Sequence, residues 1–133
     1  MLVYCDSCIL IYFFDHTGQW QNRVANRLAA LASNGDTIAV SDLVRLECRV
    51  GPIIKGDAAK LAIYDKFFAR PDVRSAAITT AVFDRATAIR AKHRFRLADS
   101  LHLAAAVEAA CDCFLTNDNR LSAFQDVRVD VLI

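Results

Sequence analysis

The stretch Leu2-Val3-Tyr4-Cys5-Asp6-Ser7-Cys8 constrains the fold most tightly. Four residues of strand character run into an aspartate, and an apolar, helix-like run from Ile9 to Phe14 begins just beyond it. A short, nearly continuous apolar strand is the pattern of a parallel strand buried on both faces. The carboxylate at its end then lies at the carboxyl edge of the sheet, where open α/β folds bind their ligands.

The rest of the chain repeats this alternation. Apolar spacing predicts further strands at 37–40, 73–78 (a short edge strand), 113–116 and 127–133. Between them it predicts helices at 7–14, 19–33, 42–50, 57–68, 79–91 and 97–110, and a helical turn at 119–124. Asp15 to Gly18 reads as a break, Asn34-Gly35-Asp36 ends the second helix, and Gly51-Pro52 is expected to stop the third. Strands alternating with helices imply a mostly parallel sheet with helices on both faces. With 133 residues and no linker or repeat, one domain spanning 1–133 is expected.

Composition narrows the function classes. Apolar residues make up 55% of the chain, enough for a packed core rather than disorder. The net charge of +1 gives no broad basic field, so contact with nucleic acid must come from local patches. The run 9–14 lacks a basic leader, follows Asp6 closely and is far shorter than the roughly 20 residues that span a bilayer. No membrane association is expected, and the expected location is cytoplasmic. Five cysteines, an odd count, argue against a secreted disulfide framework.

Four acids interrupt apolar patterns or sit at element junctions: Asp6, Glu47, Asp99 and Asp118. Asp6 and Asp118 each follow a strand. Glu47 shares a helix face with Leu43 and Val50, and Asp99 lies in the first turn of its helix, with His102 on the same side. Each has an ordinary explanation. A first-turn Asp complements the helix dipole, a strand-end Asp caps the next helix, and Glu47 can pair with Arg45 or Arg49 or point to water. Together they converge in a parallel sheet. Clustered carboxylates raise one another's pKa unless a cation is present, and a hard divalent ion with oxygen ligands meets that need. Mg²⁺ fits, and the chemistry that follows is metal-assisted hydrolysis of a phosphodiester.

These residues resemble the PIN-domain family, and within it the VapC toxins of type II toxin–antitoxin systems. The resemblance rests on Val3-Tyr4-Cys5-Asp6-Ser7, on Ser41-Asp42-Leu43-Val44-Arg45-Leu46-Glu47, on the run from Leu97-Ala98-Asp99 to Ala106, and on Thr116-Asn117-Asp118. It implies a three-layer α/β/α sandwich and a Mg²⁺-dependent endoribonuclease (Mn²⁺ serving as well) acting on structured or single-stranded RNA. It implies that Asp6 and Asp99 are the principal metal ligands, that Glu47 completes the site and that Asp118 is a fourth acid. A cognate antitoxin and a homodimer are the implied partners. Two positions depart from the family pattern: Cys8, where relatives carry Ser or Thr, and Arg120, where they often carry Asp.

Ser7, Thr116 and Asn117 are candidate hydrogen-bond partners of the carboxylates. His102 is expected to serve helix packing. Arg94 and Arg96, in a dense basic run before Asp99, are candidate RNA contacts beside a solvated face. Cys5-x-x-Cys8 has the spacing of a thioredoxin motif but lacks its flanking Trp and Pro, and no second Cys/His pair has zinc-ligand spacing. A haloacid-dehalogenase phosphatase needs an Asp where Cys8 stands. A non-catalytic PIN scaffold that only binds partners is the remaining alternative.

Overall fold

The computed structural model describes residues 1–15 and 18–132. Five strands form one sheet: β1 (Leu2–Cys5), β2 (Thr37–Ser41), β3 (Val73–Ala76), β4 (Cys113–Thr116) and β5 (Arg128–Val131). Their order is β3-β2-β1-β4-β5 and every pairing is parallel. Among the described residues six helices connect them: α1 (Ser7–Asp15), α2 (Trp20–Ser33), α3 (Asp42–Lys55), α4 (Ala58–Phe68), α5 (Thr80–His93) and α6 (Leu97–Glu108). A 3₁₀ turn covers Asn119–Ala123.

The apolar runs are strands because both faces are covered. Side chains alternate along a strand, so Val3 and Cys5 enter one cluster with Ile9, Val24 and Leu31 under α1 and α2. Tyr4 and Phe114 enter the other, beneath α3 to α6, with Val44, Tyr64, Val82 and Leu103. This is the expected α/β/α sandwich, with its sheet parallel throughout.

Helix α3 departs from expectation. It passes through Gly51-Pro52 and ends at Lys55, where Gly56 adopts a left-handed conformation (φ 66°). A proline inside a helix removes one backbone hydrogen bond and strains a turn, which kinks the helix without obliging it to stop. The stop comes where the chain reaches a glycine able to take positive φ, and Asp57 N–H then donates to Pro52 O at 2.9 Å. Helix α1 takes in Asp15, part of the expected break; His16 and Thr17 of that break lie outside the described residues.

Strand order fixes where a ligand can bind. The chain leaves β1 toward β2 and β3, then crosses to β4 and β5 on the other side. Adjacent strands whose connections diverge leave a crevice at their carboxyl ends. Here that crevice lies between the ends of β1 and β4. Asp6 follows the first, and Thr116-Asn117-Asp118 follows the second.

Candidate active site

Asp6 is built into this crevice by both strands. Its N–H donates to Leu115 O at 3.0 Å, extending the ladder one residue past β1. Its carboxylate accepts from Ser7 N–H at 2.8 Å and from the Thr116 hydroxyl at 2.8 Å. The residue is 6% exposed, and among the described residues no lysine or arginine forms an ion pair with it. A buried carboxylate of this kind is satisfied by hydrogen bonds while keeping room for a cation.

Glu47 comes from the second turn of α3, a helix fixed by the Ser41 hydroxyl, which accepts from Val44 N–H. Neither flanking arginine claims it: Arg49 pairs with Asp65 at 2.7 Å, and Glu47 meets His102 Nε2 at 2.5 Å. Burial alone would raise its carboxyl. The hydrogen bonds from His102 and Ser7 outweigh that and hold it below the usual glutamate range.

His102 is therefore more than a packing residue. It is 1% exposed and both ring nitrogens are engaged, Nδ1 with the Tyr4 hydroxyl at 2.8 Å and Nε2 with Glu47. The Tyr4 hydroxyl also meets Ser41 Oγ at 2.7 Å. One arrangement satisfies every group. Ser41 donates to Tyr4, Tyr4 donates to Nδ1, and Nε2–H donates to the ionised Glu47, which can only accept. Tyr4 can keep this donor because burial pushes its phenol far above the usual range.

Asp99 lies in the first turn of α6, partly buried. Burial raises its carboxyl, and the charges of Asp6 and Asp118 raise it further against the opposing effect of Arg120 and His102. Asp99 thus faces both strand-end acids electrostatically. Asp118 is held differently. Both its oxygens accept from Arg120, which holds its carboxyl below the ordinary range, and Arg120 Nη2 also lies 3.6 Å from Asp99 Oδ2.

The structure brings all four predicted acids to one end of the sheet. Of the predicted supporting residues, Ser7 and Thr116 bond to Asp6, while Asn117 Oδ1 is buried without a hydrogen-bond partner. Arg96 acts electrostatically on Asp118, whereas exposed Arg94 lines a groove of about 570 Å³ with Phe83, Arg90 and Leu97 between α5 and α6. Tyr4, Ser41 and the two-sided role of His102 are not evident from sequence spacing. The one available signal for His102 is its place three residues after Asp99 on the same helix face.

Several observations fit a divalent cation. Ligand atoms of Asp6, Glu47 and His102 lie within 4.8 Å of one another. The buried, unpartnered Asn117 carbonyl oxygen, in the turn after β4, is a hard oxygen of the kind such an ion takes, and Asp99 carries a raised pKa that a cation would reverse. Redox chemistry at Cys5 and Cys8 does not fit. Both thiols are free and burial pushes each up to about 12, opposite to the lowered values of reactive C-x-x-C pairs.

Known structures share this architecture at low sequence identity. A chain of the VapBC2 complex of Rickettsia felis, bound to a DNA fragment from their promoter, superposes with a TM-score of 0.78 at 17% identity, covering 98% of each chain. The Mycobacterium tuberculosis toxin VapC20, which cleaves the sarcin–ricin loop, gives 0.76 at 14% identity, with 95% of this chain and 98% of that one covered. A chain of DNA-bound VapBC from Salmonella typhimurium gives 0.74 at 17%, covering 100% of both. At these identities the likeness concerns the fold alone. No curated protein matches the sequence. The PIN-domain family model matches residues 3–127, a span that runs from β1 to the threshold of β5 and contains all four acids, and the chain belongs to that family.

Proposed function

We propose that the chain is a Mg²⁺-dependent endoribonuclease toxin of the VapBC type, a single PIN-like domain over residues 1–133 that hydrolyses phosphodiester bonds in structured or single-stranded RNA. The observation that carries this reading is the convergence of Asp6 and Glu47 at the β1–β4 crevice, with Asp99 feeling the Asp6 charge and no lysine or arginine paired to Asp6 or Glu47 among the described residues. Such a set suits Mg²⁺, and Mn²⁺ also, with Asp6 and Asp99 as principal ligands, Glu47 completing the centre and Asp118 as a fourth acid at its edge. The chemistry such an ion supplies when bound is Lewis-acid polarisation of the phosphodiester and a lower pKa for a coordinated water.

The chain's own residues do the positioning. Thr116 and the Ser7 N–H fix the Asp6 carboxylate in one orientation. His102 holds Glu47 in place and ionised, so that Glu47 is able to accept a proton from the attacking water. Arg96 and Arg94 supply positive charge for the RNA backbone outside the acidic centre.

A protein partner has surface to meet. On α3, Leu46, Val50, Ile53 and Ile54 form an exposed apolar stripe beginning one residue from Glu47. Its helical spacing suits the amphipathic segment of a cognate antitoxin, and exposed apolar faces also serve homodimers. Among the described residues no helix is long and apolar enough to cross a membrane, in keeping with a proposed cytoplasmic location.

The test is cleavage of a single-stranded RNA by the parent protein and by Asp6→Asn, with Mg²⁺ and with EDTA. The expected result is cleavage by the parent with Mg²⁺ alone, and none by the folded variant. Equal cleavage by both sinks the proposal. A scaffold without activity instead predicts no Mg²⁺ or Mn²⁺ binding at neutral pH.

A further inference from the structure

The four acids fall into two groups that are neutralised differently. The inner group, Asp6 and Glu47, meets His102 but no lysine or arginine among the described residues. The outer group, Asp118 and Asp99, already has a cation. Arg120 reaches back from the 3₁₀ turn with three donors onto one carboxylate. Its backbone N–H and Nε donate to Asp118 Oδ1 at 3.0 and 2.9 Å, and Nη2 donates to Asp118 Oδ2. The same Nη2 stands 3.6 Å from Asp99 Oδ2.

This fork is geometrically specific. Two parallel N–H···O bonds engage both carboxylate oxygens, and the backbone bond fixes the turn from which the guanidinium springs. A carboxylate so engaged offers a metal ion little, because an incoming ion would have to displace a resident cation. Among the described residues Arg120 Nη1 meets no hydrogen-bond partner, and the side chain is 54% exposed. The pair therefore presents an uncommitted N–H donor to solvent at the edge of the crevice.

We propose that Arg120 takes the place of a second divalent cation: it neutralises Asp118, so that the centre binds one ion, between Asp6 and Asp99, and its Nη1 contacts a phosphate oxygen of the RNA strand. The inference rests on the nuclease reading above, and it assigns Arg120 a role in positioning the substrate. Guanidinium contacts to phosphate are charge-assisted and oriented, so their loss weakens substrate binding more than turnover.

The test counts Mn²⁺ bound to the parent, Arg120→Asp and Arg120→Lys proteins by electron paramagnetic resonance, and measures KM and kcat on a single-stranded RNA oligonucleotide. The parent and Arg120→Lys are expected to bind one Mn²⁺, and Arg120→Asp two. KM is expected to rise about tenfold in Arg120→Asp, the loss of one charge-assisted contact, and less in Arg120→Lys, which keeps the charge. Arg120 is exposed, so these variants test the site without disturbing the core. Two ions on the parent, one on all three proteins, or an unchanged KM overturns the inference. If the parent binds one ion and Asp6→Asn none while Arg120→Asp stays at one, the inference fails and the nuclease reading stands. If the parent binds no Mn²⁺, both fail.

Discussion

Asp6 and Asp118 occupy matching places, each just past the end of a central parallel strand, yet they are held in opposite ways. Asp6 is buried and accepts from the Ser7 N–H and the Thr116 hydroxyl, both uncharged donors. Asp118 is half-buried, caps the 3₁₀ turn and is clasped by an arginine. Neutral donors orient a carboxylate and leave its charge for a ligand, whereas a guanidinium supplies the counter-charge itself. Two acids in matching places thus differ in what they offer, and the side chain two residues downstream, Cys8 against Arg120, is where they part.

The largest effect expected from this contrast is on activity. Asp6→Asn keeps the size and most hydrogen bonds of the side chain but removes the charge that faces an ion. Cleavage should fall on the order of a thousandfold, matching the several kcal/mol of transition-state stabilisation a metal centre supplies. The thermal midpoint should stay close to that of the parent. A variant that retained a tenth or more of the parent's cleavage would put Asp6 outside the metal centre.

A second contrast is in stability. His102→Ala removes the partner of both Glu47 and Tyr4 and leaves a buried void, so urea denaturation should show a loss of about 2–4 kcal/mol. Asp118→Asn loses only an exposed ion pair and keeps an N-capping side chain, so its change should lie within about 0.5 kcal/mol. Similar losses in the two variants would mean that the inner and outer groups are not built as described.

The smallest effect concerns the thiols. Burial pushes Cys48 up to about 12 and Cys111 up to about 11. A thiol is reactive as the thiolate, which forms above its pKa, so the native protein at about pH 8 should alkylate slowly, and faster as pH rises. Cys111, partly exposed and with the lower value, should react before Cys48. Rapid native labelling of Cys48, read by mass spectrometry, would show that the face under α3 opens.

Much of the scaffold was legible because parallel strands buried on both faces announce themselves as short apolar runs. Leu2–Cys5 and Cys113–Thr116 are found where the runs predict them. The acids were legible for a related reason: a charge in an apolar pattern has to be explained. The end of α3 was misjudged because Pro52 usually marks a boundary, and only the positive φ available at Gly56 supplies a working cap. The Ser41–Tyr4–His102–Glu47 chain was not legible. It joins residues separated by 37, 98 and 55 positions, and each side chain taken alone has an ordinary place in a core. The two ordinary readings of Glu47, a neighbouring arginine or open water, miss its partner for the same reason, since the bond it makes comes from α6.

Anomalous diffraction from crystals soaked in Mn²⁺ tests the central claim most directly. The account predicts a single strong peak at the β1–β4 crevice, within coordination distance of Asp6 and Asp99 and beside Glu47. A peak elsewhere on the protein, or no peak there at saturating Mn²⁺, would contradict it.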